Sequence, residues 1–304
     1  MTPVTEIRRT RLGFGVSGPH AERWFSAEKL TALVRQAYEG GICDFDCAPF
    51  YGDGLAEERL GAALNSIDAG DARISSKTGT RRSGRRVEKN FSEKAIREDL
   101  AATLGRLRRD RVDILYLHGP TRAQVRECAP LLRQLRTEGL IDAFGICGEG
   151  APLDVANVED YGALMGAFNF ADRRHDDAFA RARRRGVTTT AIAPLAQAVY
   201  DRDFYRLATP SGMWKALRRL AKGDASSQQR ALRMREVLEQ IRDRTPAQAA
   251  LGFVLGSENV SVAMTTTSSH AHLADLLAVQ DQPLPAADFE RLRRAHLDRD
   301  SARA

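Results

Sequence analysis

The sequence predicts an α/β protein built as one (β/α)₈ barrel, and three observations carry that prediction. Short segments rich in Ile, Val and Leu alternate eight times with longer stretches of helical periodicity, the pattern of βα units feeding a parallel sheet. The chain's 304 residues suit a fold that typically needs about 250. Several apolar segments close on a polar residue capable of chemistry, as barrel strands do where they reach the active-site end. An open doubly wound sheet shares the alternation; eight units in one chain favour closure.

The expected strands are Leu12 to Ser17, Ile42 to Asp46, Ala72 to Lys77, Val112 to His118, Ile141 to Cys147, Ala163 to Phe168, Val187 to Ala193 and Val260 to Thr265. Helices are expected between them. Ser26 before Glu28 and Ser92 before Glu93 read as N-caps, and Gly40, Gly139 and Gly186 sit where helices should end. The longest irregular insert, about 196–227, carries Pro210, Gly212 and Gly223 around a short basic piece from Trp214 to Leu220. A loop of that length in a compact domain is usually functional, so a lid or substrate loop is expected. Ala286 to His296 reads as an extra helix outside the barrel, and residues 1–304 are expected to form one domain.

Lys and Arg number 46 against 40 Asp and Glu, a net charge of +6 spread along the chain. The densest stretches, Arg81 to Arg86 and Arg181 to Arg185, have no interleaved aromatics to stack on bases, so they read as solvated faces and nucleic acid is not expected. Four cysteines are too few for a disulfide scaffold and form no CxxC knuckle, which suits reduced thiols, no metal and a cytoplasmic setting. No apolar run approaches the roughly 18 residues of a membrane span, and the first ten residues lack the apolar segment of an export signal.

Two motifs compete for the chemistry. Gly13-Phe14-Gly15-Val16-Ser17-Gly18 matches GxGxxG, but Pro19 and His20 follow where a helix should open. With no helix N-terminus to face a pyrophosphate, it is read as a decoy. The second constellation runs Phe45-Asp46-Cys47-Ala48-Pro49-Phe50-Tyr51-Gly52, then Ser75-Ser76-Lys77-Thr78-Gly79, then Asp113-Ile114-Leu115-Tyr116-Leu117-His118. Asp46, Lys77 and His118 close strands two, three and four, and Tyr51 lies in the loop after strand two. In a closed barrel these side chains converge. A buried Asp and Lys must pair, and an ammonium beside a phenol stabilises the phenolate, so Tyr51 is expected to be a stronger acid than a free tyrosine. Asp, Lys, Tyr and His together make a kit for protonating a carbonyl oxygen.

These segments resemble the aldo-keto reductase superfamily, whose members share an Asp-Tyr-Lys-His tetrad in these settings. Ala56-Glu57-Glu58-Arg59-Leu60-Gly61, Gly139 to Gly145, Asn169 to Arg174 and Ala193-Pro194-Leu195-Ala196 are similar to family segments in family order. The resemblance implies catalysis by Asp46, Tyr51, Lys77 and His118, with Tyr51 as proton donor, and a substrate wall from Trp24 and Phe50. It also implies a nicotinamide cofactor, NADP with NAD possible, contacted by Gly15, Cys147, Met165, Ile192, Pro194, Leu195, Thr266, Thr267, Ser268 and His272. The departures cluster at that cofactor. Gly145-Ile146-Cys147-Gly148 stands where the family usually has Gly-Val-Ser-Asn, Met165 replaces a usual Gln, Ile192 a usual ring, and Thr265-Thr266-Thr267-Ser268-Ser269-His270 a usual Gly and Arg or Lys.

The implied function is hydride transfer between the cofactor and the carbonyl or alcohol of a small aldehyde, ketone or sugar-like substrate. Two alternatives stay open at this stage. One is a non-redox lyase, isomerase or dehydratase with a decayed cofactor pocket, and the other is a non-catalytic regulatory subunit.

Overall fold

The computed structural model describes residues 10–83, 86–156, 160–195 and 235–301. The expected insert at about 196–227 lies outside the described residues. Eight parallel strands close a barrel: β1 (Leu12–Gly15), β2 (Asp44–Asp46), β3 (Arg73–Thr78), β6 (Val112–His118), β7 (Ile141–Cys147), β8 (Ala163–Ala167), β9 (Thr188–Ile192) and β10 (Val262–Thr265). Around the barrel the order is β1-β10-β9-β8-β7-β6-β3-β2. All eight expected strands are present, and most are shorter than expected by one or two residues at an end.

Two further strands, β4 (Thr80–Ser83) and β5 (Arg86–Lys89), form an antiparallel hairpin after β3 that the sequence pattern does not announce. Every second residue in it is not apolar, so the usual strand signal is missing.

The helices follow their caps. Ser26 accepts from the Lys29 N–H to start α1 (Ala27–Glu39), and Ser92 accepts from the Ala95 N–H to start α3 (Glu93–Leu107). Between them, α2 (Leu55–Ser66) follows β2. Thr121 and Gln124 close a capping box at α4 (Arg122–Thr137). Then come α5 (Ala151–Ala156), α6 (Asp176–Arg184), α7 (Pro246–Gly256), α8 (His270–Leu277) and the extra helix α9 (Ala286–Ser301). Gly139 and Gly186 adopt positive φ after α4 and α6, the left-handed conformation that lets the chain turn back into a strand.

Register decides what faces the barrel interior, since lateral neighbours share a face and residues two apart return to it. Asp46 pairs with Ser75, Lys77 with Tyr116, His118 with Cys147, Cys147 with Met165, and Met165 with Thr190. The interior fills in layers. At its N-terminal end Arg73 bridges Asp44 at 2.6 Å. In the middle lie Tyr116 and Met264, each over a glycine: a Cβ on Gly145 would meet the Tyr116 ring at 2.6 Å, and one on Gly13 would meet Met264 Cε at 2.6 Å. Asp46, Lys77, His118, Cys147 and Ile192 remain for the C-terminal mouth.

Candidate active site

Strand β3 reads Ser75-Ser76-Lys77-Thr78, four polar residues in a row, all buried. Burial of that much polarity requires partners on both faces. Outward, Ser76 donates to Glu57 on α2, and Thr78 donates to Asp99 on α3 at 2.7 Å. Inward, Ser75 Oγ donates to Asp46 Oδ1 at 2.8 Å, and Lys77 Nζ donates to Asp46 Oδ2 at 2.6 Å and to the Cys47 carbonyl at 2.9 Å. Lys77 is only 1% exposed.

The Lys77 ammonium also sits 5.0 Å from the centre of the Tyr51 ring. Tyr51 comes from the loop after β2, and its ring lies 6.3 Å from that of His118. All four expected catalytic side chains therefore meet at one side of the mouth.

Burial works against the Lys77 charge, but Asp46, and more weakly Tyr51 and Cys147, raise its pKa above the ordinary lysine value. The lysine is a fixed cation. For Tyr51 the outcome differs from the sequence expectation: burial pushes the phenol up, Lys77 pulls it down, Asp46 pushes it up again, and the net shift is upward. Desolvation wins because the ring is enclosed while the ammonium's charge is largely met by Asp46. The phenol is thus held protonated, which suits a proton donor. His118 is pressed down to about 3 by burial, with Lys77 and Lys89 adding repulsion, so the imidazole is neutral at ordinary pH. Its buried Nδ1 has no hydrogen-bond partner among the described residues.

Phe50 completes this side. Its ring stands perpendicular to His118 at 5.7 Å and carries the Arg82 guanidinium at 5.1 Å. Trp24 stacks edge-on to Phe25 at 6.0 Å, and 48% of it is exposed.

The opposite side of the mouth is neutral. Cys147 and Met165, both buried, join Tyr116 and Ala163 in a small apolar cluster against which Ile192 packs. Burial raises the Cys147 thiol to about 11, so it is not a nucleophile at ordinary pH. Pro194 is buried and Leu195 half-buried just beyond β9. After β10, Thr266 Oγ1 donates to the Gly15 carbonyl at 3.1 Å, and Thr267 Oγ1 accepts from the Ser269 N–H at 3.2 Å. Ser268 is half-buried, and Ser269 caps α8 by accepting from the His272 N–H. His272 is exposed, whereas His270 is tied to Gln36 at 2.6 Å.

Residues 11–296 match the family described as the Aldo/keto reductase family. The chain belongs to the aldo/keto reductases. It is 34% identical over 160 residues to the D-threo-aldose 1-dehydrogenase of a Pseudomonas species, covering 44% of this chain and 49% of that one. It is likewise 34% identical over 163 residues to L-galactose dehydrogenase from Arabidopsis thaliana, covering 50% and 48%. The match thus spans about half the length of these two curated relatives. The NADH-specific methylglyoxal reductase of Escherichia coli is 26% identical over 234 residues, covering 69% of this chain and 71% of that one. Among solved structures, the aldo-keto reductase AKR11C1 from Bacillus halodurans superimposes with a TM-score of 0.77 at 23% identity, covering 93% and 91% of the two chains. The non-redox alternative finds no support among these relatives.

Within this aldo/keto reductase the GxGxxG segment does not open a helix: β1 ends at Gly15, Gly18–Ala21 form one 3₁₀ turn, and α1 begins only at Ala27. Sequence reasoning missed four contributors to the site. Ser75 holds the second carboxylate oxygen of Asp46. His20, fully buried, stacks on Phe14 and bonds the Thr267 carbonyl at 3.1 Å, tying the loop after β1 to the loop after β10. Arg82 and Lys89 come from the unannounced hairpin. The signal for Ser75 was present, since a buried Asp needs more than one donor; for the others no local pattern points to the mouth.

Proposed function

We propose that this protein is a nicotinamide-dependent oxidoreductase acting on a small carbonyl or alcohol, with Tyr51 as the proton donor in the direction of reduction. The carrying observation is the buried Asp46–Lys77 pair beneath the Tyr51 ring at the barrel mouth.

The residues fit a nicotinamide dinucleotide. Gly15 lets the Thr266 side chain close against β1, since a Cβ there would lie 2.8 Å from Thr266 Oγ1. Cys147, Met165 and Ile192 offer an apolar floor for a flat ring, and Pro194 and Leu195 continue that wall. The first turn of α8, with Thr267 and Ser268 beside it, offers N–H and hydroxyl donors to a phosphate. When bound, the cofactor supplies or accepts the hydride at the carbonyl carbon. NADP is the expected form, with NAD accepted as well, because no fixed cation among the described residues stands at the α8 end to prefer the 2′-phosphate.

The chain's own residues handle the proton. The phenol stays protonated until a substrate oxygen gains negative charge, and then gives its proton to that oxygen. Lys77 stabilises the phenolate left behind, and Asp46 with Ser75 keeps the ammonium in place. Neutral His118 orients the oxygen through a ring nitrogen, and Phe50 walls the substrate. In alcohol oxidation the same groups run in reverse. Trp24, exposed on the loop after β1, is a second wall.

We place the protein as a single domain in the cytoplasm; no disulfide joins the four cysteines, and no described helix is long and apolar enough to cross a membrane. Nucleic acid is not a partner in this reading: Arg81 is committed to Asp99 and Arg181 to Asp154. Titrating the purified protein with NADPH and NADH, followed by nicotinamide fluorescence, tests the reading. Saturation by either, with turnover of an added aldehyde, is the expected result; no binding at millimolar concentration removes it.

A further inference from the structure

The β4–β5 hairpin has two faces with different occupations. Cross-strand register pairs Thr80 with Lys89, Arg82 with Val87, Arg81 with Glu88 and Ser83 with Arg86. Alternation therefore puts Thr80, Arg82, Val87 and Lys89 on one face and Arg81, Arg86 and Glu88 on the other. The second face turns to α3, where Arg81 is paired with Asp99. The first turns to the mouth: Thr80 Oγ1 donates to the His118 carbonyl at 2.6 Å, Lys89 Nζ donates to the Gly119 carbonyl at 2.6 Å, and Arg82 lies over Phe50.

The mouth-facing side thus carries two cations and no carboxylate. Among the described residues neither Arg82 nor Lys89 has a carboxylate partner, and both side chains are exposed. They are diagonal neighbours on the hairpin, within reach of one bound anion. Both also stand against the reacting groups, since Phe50 contacts His118 and Tyr51, and Lys89 is close enough to repel a proton from His118. This rim follows β3 and leans on β6, and β6 lies across the barrel from β10, where the cofactor's phosphates would sit. The cations are therefore placed for the substrate.

We infer that the preferred substrate is an anionic carbonyl compound, whose carboxylate or phosphate, a few atoms from the reacting carbon, is held by Arg82 and Lys89. The inference rests on the oxidoreductase reading and narrows it from small carbonyls to charged ones. Lys89 keeps two N–H donors beyond its bond to Gly119, and Arg82 presents its planar fork from the Phe50 ring, so both can grip an anion without giving up present contacts.

The test compares kcat/KM for matched pairs: glyceraldehyde 3-phosphate against glyceraldehyde, and succinic semialdehyde against butanal. The parent should favour the anionic member of at least one pair, and which pair shows it separates phosphate from carboxylate. That preference should fall about tenfold or more in Arg82→Met and in Lys89→Met, as loss of a charge-assisted bond requires. It should hold within about twofold in Arg86→Met, which removes the same charge from the other face. Rising ionic strength should erode the preference in the parent. A parent that favours the neutral member of both pairs, or equal losses in Arg82→Met and Arg86→Met, overturns the inference. Calorimetric titration with succinate and with inorganic phosphate gives a readout independent of turnover. If no carbonyl is reduced at all, the oxidoreductase reading fails; Arg82-dependent binding of either anion then keeps the anion site, and its absence removes that too.

Discussion

The two sides of the barrel mouth are built on different physics. On the β2–β3–β6 side, charge is buried and fully partnered: Lys77 on Asp46, Asp46 on Ser75, with Tyr51 and His118 enclosed beside them. On the β7–β10 side there is a thiol, a thioether, an isoleucine and a run of hydroxyls, with no fixed cation among the described residues. On the proposed function, the difference separates two tasks. Proton transfer needs a phenol whose acidity is set by near neighbours in a low-dielectric site, so its residues are few and charged. Holding a dinucleotide can be shared among backbone donors, hydroxyls and apolar walls, each contributing a little and each replaceable.

Removing the ion pair should produce the largest effect. Lys77→Met leaves the buried Asp46 carboxylate with Ser75 alone, at a cost of about 3–5 kcal/mol, and removes the charge that stabilises the Tyr51 phenolate. Both melting temperature and turnover should drop. A melt matching the parent's would mean that Asp46 and Lys77 do not depend on each other.

Acid should sharpen the contrast further, because two histidines, buried His20 and half-buried His118, are held neutral. Burial brings His20 from 6.5 down to about 4, and His118 to about 3. Depressed values mean that the unfolded chain binds protons first, so stability is intact above pH 6.5 and falls as pH drops toward 4. Each histidine contributes a slope of about 1.4 kcal/mol per pH unit in that window. His20→Gln should flatten the pH dependence of the melting temperature between those limits; an unchanged slope would mean that His20 does not carry it.

The smallest effect belongs to the neutral side. A 2′-phosphate met by Thr267, Ser268 and the α8 N-terminus gains neutral bonds and a partial dipole, roughly half the strength of a charge-assisted contact. Side-by-side dissociation constants for NADPH and NADH should differ by about tenfold or less. A preference above about a hundredfold would require an arginine from elsewhere in the chain to grip the phosphate.

The charged side was the legible one. Asp46 and His118 end β2 and β6, and Lys77 stands one residue before the end of β3, where a charged side chain facing the barrel interior is hard to explain except by the mouth it reaches. Strand ends were blurred because Val260, Ser261 and Ile42 have strand-like composition but lie outside the ladder, where the chain is still turning into the barrel. The hairpin was illegible for a physical reason. Thr80-Arg81-Arg82-Ser83 has no apolar alternation, because one face meets Asp99 and the other meets Phe50 and backbone carbonyls, so a stretch that reads as solvated charge is a strand with two engaged faces. The Tyr51 shift was misjudged in direction because burial of the ring cannot be weighed from sequence against an ammonium that is already paired.

If Tyr51 donates the proton, its hydroxyl is required for turnover and not for cofactor binding. Comparing the parent and Tyr51→Phe, each loaded with NADPH and mixed with an excess of aldehyde in a single turnover, tests it most directly. NADPH dissociation constants should agree within about twofold, and the rate of nicotinamide oxidation should fall by about 10² to 10⁴ in the variant. Equal rates in the two proteins would contradict it.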